Sequence, residues 1–171
     1  MVIAGGSARV IDATIKALTA FPDRLAECFA MFKSSDHNWR PHSWDGIPSE
    51  RLTAIEQICH LRDIETDGYH VRIGRTLSEN RPVLKDIPSE PLAVERQYFL
   101  ADARQALADF RAARARTLAL ISSLSEEQWQ RIAVFEGSPT SLRGLIHFLC
   151  SHDNQHLAGL HWLKGKMHVS K

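Results

Sequence analysis

The sequence has no apolar run long enough to cross a bilayer, and no basic stretch leads into an apolar segment at its start. It therefore predicts neither a membrane span nor a signal peptide. Its three cysteines, Cys28, Cys59 and Cys150, are odd in number and widely spaced. This is typical of reduced, buried thiols, so we expect a cytoplasmic protein without disulfides. Alternation of apolar and polar residues is also missing, so no strand is predicted.

An excess of charge of either sign is missing too. There are 21 Lys+Arg against 20 Asp+Glu, which leaves a formal charge of +1. Four arginines, Arg104, Arg111, Arg114 and Arg116, lie in the longest predicted helix and could touch nucleic acid. No aromatic residues are interleaved with them, and we interpret them as a solvated face. We therefore expect neither a nucleic acid nor a membrane as partner.

Helical periodicity dominates what is present. The chain is 44% hydrophobic and 24% charged, and residues 1–171 fit one domain with a sizeable core. After an N-terminal helix, the second helix is predicted over residues 49–76, with its first residue as N-cap, and the longest over 93–124. The last helix is capped by Thr140 or Ser141, and two long loops separate these elements. The pattern predicts an all-α, four-helix bundle with long connections.

Two histidines occupy the apolar stripe of the last helix. With about 100° per residue, His156 lies about 40° from His152 and about 6 Å further along the axis. Five leucines share this side of the helical wheel: Leu142, Leu145, Leu149, Leu160 and Leu163. His147 and His161 fall on the opposite side. A buried imidazole needs a partner, so the pair is either two ligands of one metal ion or a hydrogen-bonded pair in the core.

A tight metal site needs a third ligand from a facing helix. His60, in the segment AIEQICHLRDIE, is the best candidate, although periodicity alone does not select it. Glu56 and Asp63 lie about one turn to either side of His60. They either orient its ring as hydrogen-bond acceptors or are ordinary solvated charges. No general base stands out.

Several motifs together resemble the DinB-like, or YfiT-like, superfamily of bacterial helical-bundle metalloproteins. They are Trp39 to Pro41, the entry to the second helix at Trp44, ICHLRDIE, SSLSEEQW and GSPTSLRGLIHFLCSHDNQHLAGL. The segment HSWDGIP departs from the family pattern in that loop. The resemblance spans nearly the whole chain. It implies a four-helix bundle in which His60, His152 and His156 bind one divalent metal ion, such as zinc, nickel or iron. It also implies a homodimer.

Three imidazoles leave coordination positions open for water or substrate. The first hypothesis is a metal-dependent enzyme that activates water or a thiol on a small-molecule substrate. The family includes thiol-dependent transferases, so a low-molecular-weight thiol is a possible cosubstrate and transfer an alternative to hydrolysis. The second hypothesis is a non-catalytic bundle that binds metal or a small ligand in a stress response.

Overall fold

The computed structural model describes residues 4–169, and their side chains from residue 11 onward. The α-helices of this part are α1 (Ala4–Phe29), α2 (Ala54–Asp63), α3 (His70–Ser78), α4 (Ser89–Glu95), α5 (Ala103–Ser122), α6 (Glu126–Trp129) and α7 (Leu142–Val169). Short 3₁₀ turns lie at Ser34–Asp36 and Tyr98–Leu100. A π-helical turn, Ile64–Tyr69, joins α2 to α3, so residues 54–78 form one long helix.

The bundle is built from α1, the α2–α3 helix, α5 and α7. Both α1 and α2 pack against α5, and both pack against α7. The predicted all-α four-helix bundle is therefore confirmed. Because α2 and α7 are neighbours, a side chain of one can meet side chains of the other inside the bundle. None of the helices in the described part of the chain is long and apolar enough to cross a membrane.

The second helix begins later than the sequence predicted. Its N-cap is Thr53, whose side chain accepts a hydrogen bond from the Glu56 amide, while the Glu56 carboxylate accepts one from the Thr53 amide. This capping box satisfies two amides that would otherwise lack partners. Ser49, the predicted N-cap, lies four residues earlier in the preceding loop. For the last helix, Ser141 caps α7 as expected, since its Oγ accepts from the Gly144 amide at 3.1 Å.

The predicted helix over residues 93–124 is also wrong at its start. The chain turns after α4, with Gln97 in the left-handed region at φ 51°. Helix α5 then begins after Asp102, whose side chain accepts from the Gln105 amide at 2.7 Å. Leu100, which falls inside the predicted helix, lies in the 3₁₀ turn before α5 and is exposed. The cap at Asp102 therefore sets the start of α5. The sequence predicted this helix to be the longest, but α7, with 28 residues, is longer than α5, with 20.

A small sheet, which the sequence did not predict, lies beside the bundle. Its strands are β1 (Val83–Leu84), β2 (Ile132–Phe135) and β3 (Ser138–Ser141). Strand β2 pairs in parallel with β1 and antiparallel with β3. Glu136 and Gly137 form the two-residue turn of the β2–β3 hairpin at φ 50° and 75°. Positive φ at both positions gives the tight turn that suits the twist of a hairpin. Strands this short show no readable alternation.

The core consists of two apolar clusters. One contains Phe21, Ile58, Phe110 and Leu160, and the other contains Leu18, Ile73, Ile121 and Leu145. The α2–α3 helix, α5 and α7 each contribute residues to both apolar clusters. Near the point along each helix where the residues of one cluster are followed by those of the other, buried polar residues occur. They are His60, Glu65, Arg114, Thr117, Asp153 and His156. We call this set the polar layer. It includes the candidate ligands His60 and His156, and the partly buried His152 lies one helical turn from His156 at its edge.

Arg114 lies at the centre of the polar layer, which corrects its assignment to a solvated face. Its guanidinium forms paired hydrogen bonds of 2.9 Å to Glu65 and of 2.8 and 3.0 Å to Asp153. A further bond of 3.2 Å reaches the Leu18 carbonyl. All five N–H donors of the side chain are thereby used. Helices α1, α5 and α7 and the π-helical turn are thus held by one buried cation.

Replacing Arg114 with methionine leaves two buried carboxylates without a cation, and we expect a loss of about 3–5 kcal/mol in the free energy of unfolding. Burial already raises the pKa of Asp153 to about 6 against the opposing effect of Arg114. Without Arg114 the folded state should hold protons more tightly than the unfolded state, so the deficit should shrink from pH 8 to pH 5. Urea unfolding at both pH values measures this.

The control is Arg111→Met on the same helix. Arg111 forms an exposed ion pair with Asp23, which contributes little. We expect its loss to change stability by about 0.5 kcal/mol or less. Equal destabilisation by the two variants, or a deficit for Arg114→Met that is independent of pH, would contradict the central role of Arg114.

Candidate metal centre

The three histidines predicted as ligands converge in the polar layer. His60 lies on α2, and His152 and His156 lie one turn apart on α7. The Nε2 atom of His152 is 3.2 Å from Nε2 of His60 and 3.2 Å from Nε2 of His156. The capping box starts α2 at the register that points His60 toward α7. The structure therefore brings the three predicted residues together.

Glu50 joins them, and sequence analysis missed it. Its Oε2 is 3.0 Å from His156 Nε2, and its Oε1 is 3.6 Å from Nε2 of both His60 and His152. One donor atom from each of the four residues lies within 4.8 Å of all the others. Glu50 belongs to the loop before α2. The sequence prediction had placed Glu50 in the first turn of a helix over residues 49–76, and helical periodicity gives no information about a residue that lies in a loop.

The site is closed on one side and open on the other. The side chains of His60 and His156 are buried, whereas those of His152 and Glu50 are 19% and 32% exposed. His152 and Glu50 line a cleft of about 240 Å³. A small molecule can therefore reach the cluster from the side of these two residues.

A hydrogen bond that Gln57 accepts fixes which nitrogen of His156 carries its proton. The Gln57 Nε2 group donates to the Leu52 carbonyl at 3.3 Å, so its Oε1 faces His156 Nδ1, 3.1 Å away. An amide oxygen only accepts, so His156 carries its proton on Nδ1. Its Nε2 lone pair then points at the other histidines and Glu50. Such a partner on the far nitrogen is usual for metal-bound histidine.

The buried rings favour their neutral forms. Burial lowers the pKa of His156 to about 4, although Glu50 opposes the shift. Burial, together with the charge of His156, holds the pKa of His60 well below its usual value. Burial alone would raise the pKa of Glu50, but the facing imidazoles of His152 and His156 outweigh it and lower that pKa. Near pH 7 the cluster therefore combines the neutral rings of His60 and His156 with an ionised carboxylate.

This donor set suits a divalent cation. Two nitrogens each about 2.1 Å from one ion lie roughly 3.0–3.4 Å apart in octahedral or tetrahedral geometry. The histidine spacings of 3.2 Å fall in that range. A lone pair on His156 Nε2 facing a carboxylate oxygen at 3.0 Å is repulsive unless a cation lies between them. Within the described part of the chain, Nδ1 of His60 and of His152 are buried without a hydrogen-bond partner.

The predicted supporting residues of His60 serve other purposes. Glu56 completes the capping box and pairs with Arg40 at 2.6 Å. Asp63 accepts hydrogen bonds from Arg62, Arg96 and Tyr98, each at 2.6 Å. Neither carboxylate is hydrogen-bonded to the His60 ring, and both are buried, so neither the supporting role nor the solvated charge that the sequence left open is found. The supporting residue seen at the cluster is Gln57.

The remaining predictions for α7, and the prediction that Cys59 on α2 is buried, agree with the structure. His161 is exposed, and His147 is half-buried and hydrogen-bonded to Thr14 at 2.9 Å, away from the cluster. The five leucines of the stripe are buried. Burial raises the pKa of Cys59 to about 11, so this thiol stays protonated near pH 7.

A bundle with these histidines between two of its helices matches a known family. The sequence profile of the DinB superfamily matches residues 17–160, so the chain belongs to this superfamily. Among solved structures it is similar to YfiT from Bacillus subtilis, with a TM-score of 0.80 and 21% sequence identity. The match covers 92% of this chain and 87% of YfiT. YfiT is reported as a probable metal-dependent hydrolase with an unusual four-helix bundle topology. No curated protein sequence matches the chain.

A glycine on α7 allows the Glu50 loop to approach the cluster. A Cβ built on Gly159 would lie 2.2 Å from Ser49 Oγ and 3.0 Å from both Ser49 Cβ and Gln57 Oε1. Ser49 precedes Glu50, and Gln57 holds His156. Two segments that place candidate ligands therefore depend on the missing side chain at Gly159.

We expect Gly159→Ala to cost about 1–3 kcal/mol of unfolding free energy, because the loop must move away from α7. Gly165→Ala is the control on the same helix, because a Cβ there meets nothing within 4 Å. It should stabilise the protein by about 0.5–1 kcal/mol through helix propensity. Urea unfolding measures both. Adding Ser49→Gly to Gly159→Ala should restore part of the loss, and no restoration would show that the contact with Ser49 is not the cause.

Proposed function

We propose that the protein binds one divalent metal ion through His60, His152, His156 and Glu50 and uses it to activate water for hydrolysis of a small substrate. The observation that carries the proposal is the arrangement of donor atoms. The Nε2 lone pair of His156, fixed by Gln57, converges with two further imidazoles on an ionised carboxylate. Membership of the DinB superfamily supports the same reading.

The proposed ion supplies Lewis acidity and lowers the pKa of a bound water, which makes hydroxide available near neutral pH. The residues of the chain would hold the ion and orient its ligands. His60 and His156 form the buried wall of the site, and Gln57 keeps the His156 lone pair aimed inward. Glu50 and His152 face the cleft, where they would meet the substrate. Imidazole and carboxylate ligands suit zinc, nickel and iron alike.

A thiol could take the place of water at the same position. A low-molecular-weight thiol bound there would make the enzyme an S-transferase, as the family resemblance suggests, so both reactions belong in the assay. The homodimer and the cytoplasmic location stay predictions. A non-catalytic metal-binding bundle is the competing hypothesis. The cleft beside His152 and Glu50 favours an enzyme, because a purely structural ion needs no access for a ligand.

The first prediction concerns metal content. The wild-type protein should bind one zinc, nickel or ferrous ion per chain, as measured by elemental analysis and by competition with a chromophoric chelator. The variant with His152→Ala and His156→Ala should lose binding, because two of four ligands are gone. His161→Ala, an exposed histidine on the same helix, should bind like the wild type. Equal metal content in all three proteins would contradict the site.

The second prediction separates the role of Glu50 from that of its surroundings. Glu50→Gln removes the anionic ligand and should weaken zinc binding about tenfold or more. Hydrolysis across a panel of esters, run beside a panel of thiols with electrophiles, should fall in parallel at limiting zinc. Glu136→Gln is the control, because Glu136 lines the same cleft and is absent from the cluster. Unchanged zinc affinity in Glu50→Gln would remove Glu50 from the ligand set.

A further inference from the structure

The cleft beside the candidate metal centre has polar lining residues besides the candidate ligands. Arg72 and Tyr69 line it together with His152 and Glu50. Its apolar wall comprises Ile64, Ile87, Phe135 and Phe148. Arg72 and Tyr69 belong to the α2–α3 helix and take no part in the cluster of candidate ligands. Any role of Arg72 and Tyr69 in this site would therefore be in binding a molecule that enters the cleft.

Arg72 is held in a fixed orientation. Its side chain is only 5% exposed. The guanidinium carbon lies 5.0 Å from the ring centre of Tyr69 and 4.6 Å from that of Phe135. Nε and Nη2 donate to the Lys85 carbonyl at 3.3 and 3.1 Å. Fixed this way, the guanidinium loses little side-chain entropy when it binds a ligand.

The Arg72 guanidinium has N–H groups that remain available to a ligand. A guanidinium has five N–H donors, and the hydrogen bonds to Lys85 and Asp86 use only Nε and Nη2. No carboxylate or carbonyl among the described residues accepts from Nη1. The Tyr69 hydroxyl accepts a hydrogen bond from Arg72 and keeps its own proton as a second donor, because burial raises the pKa of Tyr69 although Arg72 offsets part of the rise.

The charge of Arg72 is only partly neutralised. Asp86 accepts one hydrogen bond of 3.0 Å from it, but the Asp86 side chain is 64% exposed. Glu136, also at the cleft, is exposed too. Water and salt screen such charges at the mouth much more than they screen a buried guanidinium. The cleft is therefore lined by one buried cation, Arg72, and by the Glu50 carboxylate, which the proposed metal ion would neutralise, while Asp86 and Glu136 are exposed.

We propose that the cleft binds a small organic acid whose carboxylate is held by Arg72 and the Tyr69 hydroxyl. The apolar part of the acid lies against Phe135 and Phe148, and the bond to be cleaved faces His152 and Glu50. This inference rests on the proposed function, since it names the substrate class of that site. A cleft of about 240 Å³ is below the size usual for drug-like ligands, so the acid is small.

The test uses 3-phenylpropanoate as probe and its neutral amide as comparison, titrated calorimetrically into zinc-loaded protein. The acid should bind at least tenfold more tightly than the amide, because only the acid forms charge-assisted hydrogen bonds. Arg72→Gln should abolish this preference. Arg75→Gln is the matched control, because Arg75 lies one turn further along α3 and pairs with Glu79 outside the cleft. It should keep the preference.

Tyr69→Phe is a second variant that tests the proposal if Arg72→Gln does not fold. It keeps the ring beside the guanidinium and removes only the hydroxyl, so acid binding should weaken a few-fold. Circular dichroism checks the fold of both variants. The proposal is overturned if acid and amide bind equally, or if a folded Arg72→Gln binds the acid as the wild type does. The latter result means that the carboxylate binds the metal directly.

Zinc affinity is measured on the same samples and keeps the two proposals apart. If all proteins bind zinc and only the discrimination between acid and amide is missing, the substrate class is wrong and the metal site stands. If no protein binds zinc while Arg72 still selects the acid, the carboxylate site stands and the proposed hydrolysis fails.

Discussion

The hydrogen bond between Gln57 and His156 is the constraint on which the chemistry of this bundle depends. It places the proton of His156 on the outer nitrogen and leaves the inner lone pair facing two other rings and a carboxylate. A helical core normally avoids such a concentration of acceptors. Here it is tolerated because the polar layer separates two apolar clusters that stabilise the helices on either side.

The polar layer has two halves of different character. Around Arg114 every donor is matched by a carboxylate or a carbonyl, so that half is complete and serves the packing of the helices. Around His60, His152 and His156 the Nε2 atoms face one another and Glu50, and in the proposed function a cation completes that half. Neighbouring residues of α7, His152 and Asp153, contribute to different halves. Adjacent positions on one helix therefore have unrelated roles.

The sequence allowed the bundle and the histidines to be predicted, and the reasons are local. The leucine stripe placed His152 and His156 on the buried face of α7, and the family resemblance selected His60. Glu50, Gln57 and Arg114 were missed because their roles depend on which loop or helix lies opposite, and helical periodicity carries no such information. The helix boundaries at Thr53 and Asp102 were missed because nearby residues, such as Ser49, are equally good caps.

The hairpin formed by β2 and β3 carries Phe135 and Glu136 to the cleft while contributing no candidate ligand. Its two-residue turn lies outside the four packed helices, where insertions and exchanges disturb the core least. The wall that the hairpin contributes to the cleft and the candidate histidine ligands on α2 and α7 therefore belong to separate segments of the chain. Changes in this hairpin alone would reshape one wall of the cleft while the histidines on α2 and α7 stay as they are.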